Sequence, residues 1–150
     1  MKKFVLVAAI AGSLVSGQAI AACTNNTRLD AAAIRLLLGG NTVCVPTVTP
    51  AAPTPMTWQE LHEGTSTSTS GTLTDYKRGP GHAVDPSKPV GTWTVNGSGQ
   101  GNSTVTHAYS GGGGTYIYSV HSISTTPPIY GFCGAGPEIV ARVKPGNGAC

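Results

Sequence analysis

From residue 57 onward the chain is a succession of short segments rich in Thr, Val, Ile, Tyr and Trp, separated by glycine and proline turns. These residue types favour strands, and turns this short suit antiparallel hairpins. In one segment Ile139 and Val143 share one face while Arg142 and Lys144 share the other, as in a sheet with one buried face. The seven predicted strands are Thr57–His62, Thr72–Lys77, Val90–Asn96, Ser103–Tyr109, Thr115–Ile123, Ile129–Cys133 and Glu138–Lys144.

The fold class that follows is mainly β, with one short helix before the strands. Seven short strands predict a small antiparallel β-sandwich or a barrel-like meander. The helix is predicted over Thr27–Leu38, where apolar residues recur at helical spacing. Thr27 with Asp30 three residues later resembles a capping box, and Gly39-Gly40 offers the positive-φ stop that ends a helix.

The N-terminus has the three parts of a secretory signal peptide. Lys2 and Lys3 form a basic start, an apolar stretch runs over Phe4–Val15, and Ala19-Ile20-Ala21 has the A-x-A form of a cleavage site. The apolar stretch is shorter than the roughly 20 residues of a membrane span, and no later segment is apolar enough to cross a bilayer. We therefore expect residues 1–21 to be removed on export, to the periplasm or the outside of the cell.

The mature chain is predicted to have three parts. Residues 22–45 form the helical segment bracketed by Cys23 and Cys44, and residues 46–56 form a proline-rich linker, an extended spacer. Residues 57–150 form the antiparallel β-domain.

The four cysteines are Cys23, Cys44, Cys133 and Cys150, an even number that suggests two disulfides in an exported protein. Pairing by proximity in sequence favours Cys23–Cys44 and Cys133–Cys150, and a crossed arrangement would join Cys44 to Cys133. An alternative use of Cys23 is lipidation, because Ile20-Ala21-Ala22-Cys23 looks like a bacterial lipobox.

Charge and cysteine spacing exclude several classes of partner and cofactor. The formal net charge of +3 falls to +1 without Lys2 and Lys3, so we predict no nucleic-acid partner. No cysteine pair has C-x₂₋₄-C spacing and no histidines have H-x-x-x-H spacing, so neither a metal nor another cofactor is predicted.

A candidate ligand site follows from the densest polar stretch, Asp75–Pro86, which ends a strand and continues into a loop that contains Pro and Gly. Loops on a rigid scaffold often carry binding residues. Lys77 and Arg78 would bind an anionic group, and Tyr76 or Trp93 would stack on a sugar ring. The predicted ligand-binding residues are Tyr76, Lys77, Arg78, His82, Trp93 and His107.

His107 enters this set because it shares a strand face with Val105 and Tyr109. If that face is internal, His107 is a buried polar group that requires a hydrogen-bond partner. Other aromatic residues near strands would also line a site. A carboxylate pair of the glycosidase kind would form only if Glu60 and Asp75 met in one particular strand register.

One tripeptide resembles a known motif. Gly91-Thr92-Trp93 resembles the G-x-W that opens the first strand of lipocalin-like and avidin-like barrels. In those families most of the barrel follows the motif, whereas here 57 residues follow Trp93, too few for seven more strands. No ligand site is therefore carried over from the resemblance.

With no G-x-S-x-G or other catalytic motif, the sequence predicts a non-enzymatic binding module for a small molecule, a glycan or an envelope protein. Two alternatives remain open. One is a surface structural or adhesin-like subunit, and the other is a small secreted hydrolase that uses a histidine with a nearby carboxylate.

Overall fold

A computed structural model describes residues 23–24, 27–48, 57–76 and 87–150 of the 150-residue chain. The predicted signal peptide and most of the predicted linker lie outside the described residues. The mainly β fold with one short helix is confirmed. The elements are α1 (Ala31–Leu38), β1 (Thr42–Val45), β2 (Trp58–His62), β3 (Ser70–Tyr76), β4 (Ser87–Asn96), β5 (Thr104–Tyr109), β6 (Gly114–Thr125), β7 (Pro128–Cys133) and β8 (Ile139–Lys144).

The eight strands form a closed antiparallel barrel in which each strand pairs with the next along the chain and β8 pairs back with β1. This is the barrel-like meander that was expected, with one strand more. The additional strand is β1, whose four residues are too few to show a clear alternation. β1 precedes the predicted linker, so the first strand of the barrel begins at Thr42.

The helix starts later than the sequence suggested. Asp30 is the N-cap, and its Oδ1 accepts a hydrogen bond of 2.8 Å from the Ala33 backbone N–H. The Thr27 hydroxyl instead donates to the Thr24 carbonyl oxygen, so the predicted capping box is wrong. At the other end Gly40 has φ +79°, a value that a glycine adopts without strain.

The core joins the helix to the barrel interior. Ile34 and Leu38 of α1 are buried and belong to the same apolar cluster as Trp93 and Phe132. Trp93 fits only because Gly71 on the neighbouring strand has no side chain. A Cβ at Gly71 would lie 2.7 Å from the indole Nε1.

The two ends of the barrel differ. At the helix end α1 packs against β4 and β5, and the Arg28 Nη2 donates to the Ser103 carbonyl oxygen in the turn between those strands. The last residues of β1, β3, β5 and β7 and the first residues of β2, β4, β6 and β8 all lie at the opposite end, because neighbouring strands are antiparallel. We call this the cleft end.

Two disulfides tie the chain termini to the barrel. Cys23 is bonded to Cys133 and Cys44 to Cys150, with sequence separations of 110 and 106 residues. The pairing by proximity in sequence is therefore wrong, as is the crossed alternative, and the Cys23 sulfur is not available for a lipid. Disulfides of this kind indicate that the protein matures in an oxidising, exported environment. Within the described ranges no helix has the length and apolar character of a membrane span.

The reason for the long-range pairing lies in the barrel itself. β1 is the partner of β8, and the C-terminal residues fold back across the outer face of β1, where the Cys150 backbone N–H donates to Gln59 Oε1 at 3.0 Å. Cys44 faces outward into that segment. The separation of the cysteines in sequence therefore does not indicate which of them pair, because closure of the barrel brings distant parts of the chain together.

We predict that the double variant C23S/C133S loses about 4–5 kcal/mol of unfolding free energy, because the bridge closes a loop of more than 100 residues in the unfolded chain. Urea denaturation of oxidised wild type and variant measures this loss. Trypsin sites after Arg28, Arg35, Arg78 and Arg142 place the four cysteines in four different peptides. An unreduced digest in which the Cys23 peptide is joined to that of Cys44 would contradict the pairing.

Candidate functional site

The cleft end of the barrel opens into a cleft of about 830 Å³. Its lining comes from the strand ends around the rim, including Val45, Val90 and Ile139. Most of this lining is apolar, and four aromatic residues make up its walls. They are Trp58, Tyr109, Tyr116 and Tyr118.

The aromatic walls face different directions around the cleft. The Tyr116 and Tyr118 rings are nearly parallel, with centroids 6.4 Å apart and planes inclined by 9°. Tyr109 stands across Tyr116, with a centroid distance of 5.8 Å and an interplanar angle of 70°. Register explains the arrangement, since Tyr116 and Tyr118 alternate with the outward-facing Ile117 on β6 while Tyr109 ends β5.

Charged groups form a row across three neighbouring strands of the same wall. Glu60 on β2 is the register partner of Asp75 on β3, and Asp75 is the partner of Lys88 on β4. Register partners point to the same side of a sheet, so the three side chains face the cleft together. The strand register is therefore the one that brings Glu60 and Asp75 together, and Glu138 adds a third carboxylate on the β7–β8 side.

Glu60 forms the floor of the cleft and is only 4% exposed. The Tyr109 hydroxyl donates a hydrogen bond of 2.9 Å to Glu60 Oε2. Burial of the phenol and the nearby Glu60 carboxylate raise the pKa of Tyr109 well above its usual value. The same two causes, together with Tyr116, raise the pKa of Tyr118. Both phenols therefore keep their protons and present hydroxyl groups to the cleft.

Behind the floor lies a pair of buried histidines. His62 and His107 are fully buried, and their Nε2 atoms are 3.0 Å apart. One ring must donate and the other accept, so the pair cannot carry two protons at these nitrogens. Burial lowers the pKa of His107 to about 4. Burial, and then the neighbouring His107, hold the pKa of His62 well below its usual value.

The pair is connected to the floor through His107. Its Nδ1 lies 3.9 Å from Glu60 Oε2, and neither His107 Nδ1 nor His62 Nδ1 has a hydrogen-bond partner. We assign the His107 proton to Nδ1, because there it faces the carboxylate, and His62 then donates its Nε2–H to His107. Polar contacts thus run from His62 through His107 and Glu60 to the Tyr109 hydroxyl.

The structure describes three of the six ligand residues that the sequence predicted, namely Tyr76, Trp93 and His107. Lys77, Arg78 and His82 lie outside the described residues. Trp93 is fully buried in the core, where its Nε1 donates to the Glu63 carbonyl oxygen at 3.1 Å, and it does not line the cleft. Tyr76 lies on the outer face, where its hydroxyl accepts a hydrogen bond of 2.8 Å from the Gly148 backbone N–H.

The structure places His107 on an internal face, where its Nε2 is hydrogen-bonded to His62. His107 lies behind Glu60 and does not itself line the cleft. The aromatic lining of the cleft comes from the strand aromatics that were expected to line a site, namely Trp58, Tyr109, Tyr116 and Tyr118. Glu60, in contrast, was considered only as one half of a carboxylate pair with Asp75. Two features identify the cleft residues: the alternation of inward and outward side chains along β5 and β6, and the register between β2 and β3. Alternation was visible in the sequence, but which strands curl around a common interior was not.

Two other polar groupings have structural roles. Cys23, Cys133 and Glu138 bring two sulfurs and a carboxylate together, but the sulfurs are bonded to each other and are not metal ligands. His121 contacts the Ser119 hydroxyl at 2.9 Å and the Thr24 carbonyl oxygen at 2.9 Å. These bonds hold the N-terminal segment against the outer face of β6, and burial lowers the pKa of His121.

Comparison of the chain with protein-family models, with curated proteins and with solved structures finds no match. The assignment of a function therefore rests on the geometry of the cleft.

We predict that lowering the pH from 7 to 5 destabilises the protein through the histidine pair. The unfolded imidazoles bind protons near pH 6.5, whereas the folded His107 remains neutral until about pH 4, so unfolding becomes easier as pH falls. His107 alone accounts for about 2 kcal/mol at pH 5. Urea denaturation measures the loss, and the variant H107Q should show a shallower pH dependence. A His107 ring resonance that titrates near pH 6.5 in the folded protein would contradict this.

Proposed function

We propose that this disulfide-stabilised barrel is a binding module that holds a small, largely apolar ligand in the cleft. The observation that carries the proposal is the cleft itself, with its aromatic walls and its buried Glu60–Tyr109 floor. Ligand sites in β-barrels commonly lie at the barrel mouth, have volumes of about 300–1,000 Å³, and combine apolar walls with few fixed polar groups. The cleft meets each of these conditions.

The rigidity of the floor supports a binding role. The Glu60 oxygen that accepts from Tyr109 is held by strand pairing on both sides of β2, with Val43 and Asp75 as its register partners. A group fixed in advance loses little conformational entropy when a ligand arrives. The polar contacts at the floor therefore favour one orientation of the ligand.

The contacts of the histidines favour binding over hydrolysis. A hydrolase of the expected kind needs a histidine in reach of both a carboxylate and a Ser or Thr hydroxyl. Among the described histidines, His107 lies beside the Glu60 carboxylate, and His121 beside the hydroxyls of Ser119 and Thr27. The Glu138 carboxylate acts on His121 through its charge but is not hydrogen-bonded to it, so no described histidine is hydrogen-bonded to both a carboxylate and a hydroxyl.

The closed barrel bears on the adhesin-like alternative. Assembly by strand addition uses a free sheet edge, and the eight described strands leave none because β1 is paired with β8. The compartment in which the module acts is proposed from the sequence together with the disulfides. A signal peptide over residues 1–21 and two bridges suit the periplasm or the extracellular space.

We predict that the neutral probe N-phenyl-1-naphthylamine binds in the cleft, with a rise in its fluorescence. The variant Y116A should bind it about fivefold more weakly, because a wall of the cleft loses an aromatic contact of about 1 kcal/mol. Fluorescence titration of the oxidised protein measures both affinities.

The matched control is I117A. Ile117 is the next residue on β6 and is 58% exposed, compared with 48% for Tyr116, but it points to the outside of the barrel. It should bind the probe as the wild type does. Absence of probe binding to wild type, or equal losses in the two variants, would sink the proposal.

A further inference from the structure

Four aromatic side chains line the cleft, and three of them, Tyr109, Tyr116 and Tyr118, lie next to one another along one wall. Tyr116 and Tyr118 present parallel faces, and Tyr109 stands across Tyr116. The face of an aromatic ring carries partial negative charge, so a cation in contact with several faces is attracted by each of them. This attraction increases as water is excluded, and of the cleft lining Glu60 is only 4% exposed while Tyr116 is 48% exposed.

The charged lining of the cleft has the same sign as the ring faces. Among the described residues that line it there are three carboxylates, Glu60, Asp75 and Glu138, and one ammonium group, that of Lys88. Glu60 is nearly inaccessible to water, so its field is weakly screened within the cleft. The raised pKa of Tyr109 and of Tyr118, to which Glu60 contributes, reflects this field at the two phenols.

We propose that the ligand of the cleft is an organic cation, namely a quaternary or fully alkylated ammonium group attached to an apolar body. This inference rests on the proposed function and adds the class of ligand. A quaternary ammonium has no N–H group, so it does not compete for the hydrogen bonds that Glu60 already accepts. Its alkyl groups contact the aromatic faces and its charge lies in the field of the carboxylates. The apolar body contacts residues such as Val90 and Ile139.

A matched pair of probes separates charge from shape. Benzyltrimethylammonium and neopentylbenzene have nearly the same shape, and only the first is charged. We expect the cation to bind the oxidised wild-type protein about tenfold more tightly than the neutral compound, measured by calorimetry and by displacement of N-phenyl-1-naphthylamine. Its affinity should fall as the salt concentration rises, while the affinity of the neutral compound should not.

Two variants test the residues. Y116L keeps an apolar side chain but removes a π face, so it should weaken the cation about fivefold and leave neopentylbenzene unchanged. I117L, on the outer face of the same strand, should change neither affinity. E60Q removes the charge at the floor with little change in shape, and the cation should lose affinity in it while the neutral probe does not. Because Glu60 is buried, the salt dependence and Y116L keep the test valid if E60Q does not fold.

The outcomes distinguish this inference from the proposed function. Equal affinities for the two compounds, or tighter binding of the anion benzylphosphonate, would overturn the cation proposal while probe binding still supported an apolar cleft. Absence of binding by every compound, including N-phenyl-1-naphthylamine, would overturn both. A cation affinity that is insensitive to Y116L but lowered in I117L would place the ligand outside the cleft and would also reject the inference.

Discussion

The pairing of β1 with β8 is the constraint on which the rest of the structure depends. Val43 and Val143 meet across this pair, and without it the meander would be an open sheet with two free edges. The closing pair is reinforced from outside by the bond between Cys44 and Cys150. The C-terminal segment is thereby held over β1 and β2, where the Gly148 backbone N–H also donates to the Tyr76 hydroxyl.

Closure also decides what fills the interior. An eight-stranded barrel has an interior just wide enough for its own side chains. An inward-facing residue therefore belongs to the core or lines the cleft, depending on its position along the barrel axis. At the helix end these positions are apolar and α1 covers them, whereas toward the cleft end they become His107, Glu60 and Tyr109 in turn. Tyr109 is hydrogen-bonded to Glu60, whereas His107 Nδ1 lies 3.9 Å from the carboxylate without a hydrogen bond, and burial lowers the pKa of His107.

The sequence predicted the fold class because alternation within a strand is a local property. Seven of the eight strands and the helix could be found from residue type and spacing, and β1 was missed because four residues between Asn41 and Pro46 carry too little pattern. The disulfides and the site depend on closure, which no local pattern encodes. Cys23 and Cys133 are 110 residues apart in sequence and become neighbours only when β6 and β7 lie beside the N-terminal segment.

The polar stretch that stands out in the sequence contributes Asp75 to the lining of the cleft, whereas Glu60 and Tyr109 come from other segments. Lys77 and Arg78 stand out because their charges are adjacent in sequence, whereas the groups that meet at the cleft floor come from β2 and β5, which are far apart in sequence. Glu60 and Tyr109 are 49 residues apart, and their hydrogen bond requires the strands between them to curl fully around the interior. A carboxylate buried in this way keeps its orientation whether or not a ligand is present. Within the part of the chain that the structure describes, the charged and aromatic groups of the cleft are therefore placed mainly by the strands of the barrel.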